Sequence, residues 1–224
     1  MTQTPGLADP AHPTLADPSL FIYHSPHGIL VLLLYVDDML LTGSSPSFLN
    51  LHREFAIKEL GSIHHFLGMK ISPNSDGLHV SQTLYALTLL DRTYIIDSKP
   101  MSTPLETKFN NTTDDTPLAD PSFYSSIVRA LQYLTLTRPD LAFSVNLASQ
   151  FMQAPCNSHL KMVRCILRYV KGTLSFGLQF FSRSILDLFA FSDADWARCP
   201  TTRRSTTGYC TFLGQNLLSW RAKK

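Results

Sequence analysis

The chain has 224 residues, a hydrophobic content of 44% and a formal net charge of +2 at pH 7. This length and composition predict one large or two small globular units and exclude disorder throughout the chain. The apolar run that ends before Asp37 is much shorter than the roughly 20 residues of a membrane-spanning helix, so we expect no membrane span.

The charge is distributed unevenly along the chain. Residues 1–160 hold 8 Lys or Arg and 14 Asp or Glu, whereas residues 161–224 hold 11 and 3. A basic end of this kind indicates either a surface that faces a polyanion or a solvated basic face.

The sequence carries no sign of a targeting segment or a disulfide framework. Its first Lys or Arg is Arg53, so the N-terminus lacks the basic region of a secretory signal or a transit peptide. The compartment stays open, since nuclear, cytoplasmic and organellar copies would look alike. The four cysteines lack C-x-x-C spacing and are expected to be reduced thiols.

The first predicted element is a pair of β-hairpins. Residues 1–18 show no apolar periodicity and are expected to be a disordered lead-in. Strands then begin near Leu20, and the apolar run at 29–34 favours a strand buried on both faces.

That run ends at two adjacent aspartates, Asp37 and Asp38. Two ionised carboxylates beside an apolar core repel each other, so they must reach water, take up a proton or bind a divalent ion. A solvated hairpin turn and a metal site both remain open at this point.

Further secondary structure is predicted up to residue 122. A helix is expected from Pro46 to about residue 60, then a strand through 59–71 with a return strand at 78–80. A helix at 82–94, with Leu84, Leu87, Leu90 and Tyr94 on one stripe, leads into an extended strip. Residues 105–122 are rich in Asn, Thr, Asp and Pro and form the predicted linker.

Three amphipathic helices are predicted at 123–136, 139–152 and 159–170, followed by strands at 177–181, 186–192, 208–213 and 216–220. The third helix carries four cations on one stripe: Lys161, Arg164, Arg168 and Lys171. Like charges at this spacing repel, and a polyanion would relieve the repulsion, which points to a nucleic-acid backbone.

The tetrapeptide Tyr35-Val36-Asp37-Asp38, with its apolar flanks and the following Gly43, resembles the catalytic palm hairpin of copia-type retrotransposon reverse transcriptases. The resemblance implies that Asp37 and Asp38 help to hold two Mg2+ ions. These ions orient the primer 3′ hydroxyl and neutralise charge on the phosphates of the incoming nucleotide.

Other motifs resemble the same family in the same order. They are the Phe66-Leu67-Gly68 hairpin near the primer terminus, the thumb segments Ala130-Leu131-Gln132-Tyr133-Leu134, Thr137-Arg138-Pro139-Asp140 and Ile166-Leu167-Arg168-Tyr169-Val170-Lys171-Gly172-Thr173, and Asp193. The resemblance implies that Asp193 is the first metal-binding aspartate of ribonuclease H, whereas the local sequence alone also fits an exposed loop aspartate. The expected fold is α+β. It comprises a partial palm with the primer-grip region at 19–104, the linker at 105–122, a helical thumb at 123–172 and a truncated ribonuclease H start at 177–224.

The sequence also departs from the family pattern. A palm needs a third carboxylate from an upstream strand as well as the fingers, and ribonuclease H needs carboxylates downstream of Asp193, yet no acidic residue follows Asp195. Arg129 and Arg198 stand where the family usually has Gly.

We therefore expect a fragment of an RNA-directed DNA polymerase that binds an RNA or DNA template-primer. It would not be active alone and would depend on polyprotein segments supplied in trans. A non-catalytic nucleic-acid-binding module and a decayed fragment with no selected role are the alternatives.

Overall fold

The computed structural model describes residues 19–26, 28–36, 38–44, 61–105, 116–196 and 203–224. The chain divides into two compact units, Met1–Ile63 and His64–Lys224. Several predictions lie outside the described residues: the lead-in at 1–18, the helix at 46–60 and most of the linker, together with Asp37 and Arg198.

The first unit contains a three-stranded antiparallel sheet. Strand β1 is Leu20–Ser25, β2 is Gly28–Tyr35 and β3 is Asp38–Gly43, with β2 in the centre. The two predicted hairpins are confirmed. The prediction that the apolar run is buried on both faces is wrong, because Ile29 is 43% exposed and Leu34 is 40% exposed. An apolar run shows what a strand could bury, but not what covers it.

The second unit holds two sheets. Strands β4 (His65–Phe66), β5 (Met69–Asn74), β6 (Gly77–Ser81) and β7 (Leu178–Phe181) form one antiparallel sheet in that order. Strands β8 (Leu188–Ala194), β9 (Thr207–Leu213) and β10 (Asn216–Lys223) form the other, with β9 in the centre.

Two features of these sheets differ from the sequence prediction. The strand predicted through 59–71 is interrupted by a turn at Leu67 and Gly68, both of which have positive φ (49° and 72°). Strand β7 was grouped with the C-terminal strands, but it pairs with β6, about a hundred residues earlier in the chain. Local patterns do not encode such long-range pairing.

Helices occupy the middle of the second unit. They are α1 (Thr83–Arg92), α2 (Pro121–Leu134), a 3-10 turn at Pro139–Leu141, α3 (Ala142–Ser149) and α4 (Asn157–Gly172). Helix α2 begins inside the predicted linker, because the Asp120 carboxylate accepts the Ser122 and Phe123 N–H groups at 2.9 and 3.2 Å and caps it. Mixed helices and sheets confirm the α+β fold class.

The main hydrophobic core lies among these four helices. Its fully buried members come from each of them and include Leu90, Tyr124, Leu131, Val145 and Ile166. No helix in the described ranges is long and apolar enough to cross a membrane.

The stripe predicted on the helix at 82–94 is only partly buried. On α1 the buried residues are Ala86, Leu89 and Leu90, whereas Leu84 is 62% exposed and Tyr94 is 91% exposed. Helix α1 ends at Arg92, before Tyr94, so the helical spacing assumed in the prediction does not reach this residue.

Candidate functional site

The hairpin between β2 and β3 ends in a tight turn. Tyr35 pairs with Asp38, so only Val36 and Asp37 separate the two strands along the chain. Val36 is 90% exposed and has a φ of 50°, a left-handed conformation that is unfavourable for a β-branched residue. Asp38 is exposed as well. The turn therefore presents the Asp38 carboxylate to solvent, and Asp37 lies outside the described residues.

Carboxylate oxygens are the ligands that Mg2+ prefers, so the Asp38 side chain is chemically suited to that ion. Within the described ranges, no group of three or more His, Cys, Asp or Glu residues is arranged to hold a metal. The third predicted ligand, Asp193, lies in the second unit, next to the end of β8. Its carboxylate is exposed and accepts the Ala194 N–H group at 2.8 Å.

The predicted basic stripe is divided by the structure. Lys161 and Arg164 are exposed on the first half of α4, whereas Arg168 and Lys171 are half-buried on its second half. Arg168 Nε donates to the Lys99 carbonyl at 2.6 Å, and Lys171 Nζ donates to the Ser98 carbonyl. These two cations attach the segment after α1 to α4, whereas Lys161 and Arg164 are the exposed members of the stripe.

Arg138 forms the centre of a polar clamp that sequence reasoning missed. It is 4% exposed, and its guanidinium donates to both Asp140 carboxylate oxygens at 2.9 and 2.7 Å. It also donates to the Thr173 carbonyl at 3.0 Å and hydroxyl at 2.7 Å, just beyond the end of α4. The rings of Tyr169 and Phe176 lie 5.6 and 5.3 Å from its central carbon.

Electrostatics in the clamp favour the ion pair. Burial alone would raise the pKa of Asp140, but the hydrogen bonds and charge of Arg138 outweigh burial and lower that pKa. Burial and the adjacent Asp140 raise the pKa of the Tyr169 phenol. Asp140 is only two residues from Arg138, whereas Thr173 is 35 residues away, so no local pattern connects Arg138 with the end of α4.

A second fastening holds the turn between β4 and β5. Tyr133, on α2, donates its hydroxyl to the Leu67 carbonyl at 2.7 Å. A Cβ added to Gly68 would lie 2.9 Å from the same hydroxyl oxygen. The Tyr133 phenol thus bonds this turn to helix α2.

Comparisons with known proteins agree with these motifs. Residues 12–107 match the family described as reverse transcriptase (RNA-dependent DNA polymerase). An uncharacterised mitochondrial protein of Arabidopsis thaliana is 50% identical over 200 residues, covering 87% of this chain and 83% of that protein. No solved structure matches the chain.

Transposon proteins are also similar. A retrovirus-related Pol polyprotein from transposon RE1 of Arabidopsis thaliana is 41% identical over 217 residues, covering 94% of this chain but 15% of the polyprotein. A putative transposon Ty5-1 protein of Saccharomyces cerevisiae is 32% identical over 213 residues, covering 92% of this chain and 69% of that protein. These matches show that the chain belongs to the reverse transcriptase family of copia-type Pol polyproteins.

Proposed function

We propose that this chain is a segment of a copia-type reverse transcriptase and contributes the carboxylate-bearing hairpin to RNA-directed DNA polymerisation. The observation that carries the proposal is the tight turn after Tyr35, which exposes Asp38 inside the segment that matches the family. In this proposal residues 19–104 belong to the palm, 123–172 to the thumb and 177–224 to the start of a ribonuclease H-like domain that contains Asp193.

The roles of the hairpin residues follow from their chemistry. Asp37 and Asp38 would hold Mg2+, which when bound orients the attacking hydroxyl and neutralises phosphate charge. Asp38 is the first residue of β3 and is exposed at the end of the paired strands, next to the strained Val36 turn, where a nucleotide phosphate could approach. Lys161 and Arg164 would contact the phosphates of the template-primer.

We further propose that the chain does not polymerise by itself. It spans about 15% of the Pol polyproteins that it matches, and the hairpin carries two of the three carboxylates that a palm of this family uses. A complete two-metal site would therefore need the third carboxylate from another polymerase segment.

Primer extension on an RNA template tests both statements. The purified chain alone should give no extension at any enzyme concentration. Addition of the upstream fingers and palm segment of a copia-type polymerase should give Mg2+-dependent extension, which Asp37→Asn abolishes. The matched control is Asp76→Asn, since Asp76 is an exposed aspartate in the turn between β5 and β6.

The outcomes separate the parts of the proposal. Extension by the chain alone, if lost in Asp37→Asn, would overturn the need for other segments while keeping the catalytic role. Extension in the reconstituted mixture that survives Asp37→Asn would overturn the role of the hairpin.

A non-catalytic nucleic-acid-binding module is the second candidate, and the exposed Lys161 and Arg164 pair favours it. In that case the chain alone should bind oligonucleotides in a salt-sensitive manner, and the double change to Ala should weaken binding and flatten the salt dependence by about one phosphate contact per cation. If the affinity for oligonucleotides changes neither with salt nor with the double substitution, this candidate function is excluded.

A further inference from the structure

Helix α1 has an unusual residue, Tyr94, at the position after its C-cap. The Tyr94 N–H group donates to the Asp91 carbonyl and the Ile95 N–H group to the Leu90 carbonyl, each at 3.0 Å. This pair of bonds is the Schellman motif, in which the residue at the position of Tyr94 adopts a left-handed conformation and is usually Gly. Tyr94 has a φ of 54°, so a bulky side chain occupies a position that favours none.

Side-chain packing does not account for the presence of Tyr at position 94. Tyr94 is 91% exposed, so its ring gains little from burial within its own unit. A residue held in an unfavourable backbone conformation, with its side chain directed outwards, indicates a role in binding.

A cleft lies beside this ring. It has a volume of about 370 Å3 and is bounded by the end of α1, the first turn of α2 and the first half of α4. The floor consists of core residues such as Ile127 and Val163, which are 2% and 0% exposed. The exposed side chains at the rim are Tyr94, Phe123 and Arg164.

The size and the lining of the cleft suit one small aromatic group. Its volume is at the lower end of the range of ligand sites, roughly 300–1,000 Å3. Aromatic platforms beside cations bind single-stranded nucleic acids, because bases stack on the rings while phosphates contact the cations. Arg164 supplies that charge, and Lys161 lies one helical turn away on the same stripe.

We propose that this cleft binds a nucleobase of a single-stranded nucleic acid, with the base stacked on Tyr94 and Phe123 and the adjoining phosphate on Arg164. The inference rests on the proposed nucleic-acid function and specifies where an unpaired strand is held. Two exposed carboxylates, Asp91 and Asp97, flank Tyr94 along the chain. They repel phosphate from the α1 side, so the backbone of the strand follows α4.

The polar rim favours this occupant over an apolar peptide. An apolar peptide would gain from the floor of the cleft, but it would cover the Arg164 guanidinium without offering it an anion. A nucleotide satisfies both the rings and the cation.

Fluorescence anisotropy with the full chain tests the proposal. The probe is a labelled single-stranded RNA oligonucleotide, compared with one of the same length whose central nucleotides are abasic and keep their phosphates. The chain should bind the base-containing probe more tightly by roughly 5- to 150-fold in Kd, which corresponds to the effect of one stacked base. Tyr94→Ala should abolish this preference and Tyr94→Phe should keep it.

Controls separate stacking from folding and from charge. Trp196→Ala removes another ring, one that is 92% exposed, and should leave the preference unchanged. Tyr94→Gly should weaken binding while raising the Tm, because Gly suits the backbone conformation there. Arg164→Ala should weaken both probes equally and reduce the salt slope by about 1.

The proposal is overturned if Tyr94→Ala keeps the preference for bases, or if an apolar peptide binds the cleft and the oligonucleotide does not. The hairpin carboxylates are not part of the cleft, and Asp76→Asn, in an exposed turn away from it, should leave oligonucleotide binding intact. If the reconstituted mixture gives no primer extension but the chain keeps its preference for bases, only the polymerase proposal fails. If extension occurs but the preference for bases is absent, only the cleft proposal fails.

Discussion

The Arg138 clamp and the tip of the β2–β3 hairpin both carry motifs of the reverse transcriptase family, but the surrounding structure treats them differently. Arg138 is buried and bonded to Asp140 and Thr173, and within the described ranges every buried side-chain nitrogen and oxygen has a hydrogen-bond partner. At the hairpin tip, by contrast, Val36 is strained and exposed and Asp38 faces solvent. The residues of the clamp satisfy one another within the fold, whereas the hairpin that we propose to be catalytic is strained at Val36 and open to solvent at Asp38.

Removing the centre of the clamp should give the largest change. Arg138→Ala leaves Asp140 without its cation and Thr173 without its donors, so we expect a loss of about 3–5 kcal/mol in the free energy of unfolding. Urea titration with hydrogen-exchange protection of α4 amides would measure it.

Arg129→Ala is the matched control, because Arg129 is exposed on α2 and its loss should change stability by less than about 0.5 kcal/mol. A loss below about 1 kcal/mol for Arg138→Ala would show that the clamp is not what holds the helices together.

A smaller effect is expected from the partner carboxylate. Asp140→Asn weakens the charge-assisted bonds and should cost about 1.5–3 kcal/mol at pH 7. Because the pKa of Asp140 is lowered by folding, its contribution is present above the unfolded pKa of about 4 and is lost as the pH falls through the folded value. The difference between wild type and variant should therefore shrink on acidification, and a difference independent of pH would contradict the ion pair.

Substitutions in the turn at Leu67 and Gly68 should have the next largest effect on the free energy of unfolding. Gly68→Ala meets the Tyr133 hydroxyl and strains a φ of 72°, so we expect a loss of roughly 1–3 kcal/mol. Tyr133→Phe removes the clashing oxygen together with its bond to Leu67, so the double variant should lose less than the sum of the two single losses. Additive losses would mean that Tyr133 does not hold this turn.

The Arg138 clamp and the β2–β3 hairpin also show which features could be predicted from the sequence. The β2–β3 hairpin, the presence of the four described helices and the apolar face of α4 follow from local periodicity, and the structure confirms them. The clamp, the withdrawal of Arg168 and Lys171 from the basic stripe, and the pairing of β6 with β7 depend on residues that are distant along the chain. Local patterns also failed at Tyr94, where the helix stops before the apolar spacing does.

Relief of backbone strain at the hairpin tip should increase the stability of the hairpin. Val36→Gly should stabilise the hairpin by about 1 kcal/mol, because Gly accepts a positive φ without a Cβ clash. The same substitution at Val31, in the middle of β2, should instead destabilise it, since Gly weakens a strand interior. Hydrogen exchange of β2 and β3 amides would measure both, and a loss at Val36 would show that its conformation is not strained.

Asp38→Asn should have the smallest effect on stability, less than about 0.5 kcal/mol, because the side chain is exposed. Its effect on metal binding should be much larger. Mn2+ prefers carboxylate ligands as Mg2+ does, so it should broaden the NMR signal of the neighbouring Tyr35 amide in the wild type and in Asp76→Asn but far less in Asp38→Asn. Unchanged broadening would remove the support for a metal site at the hairpin. If Asp38→Asn folds normally but no longer binds the ion, Asp38 differs from Arg138: it is required for metal binding and not for stability.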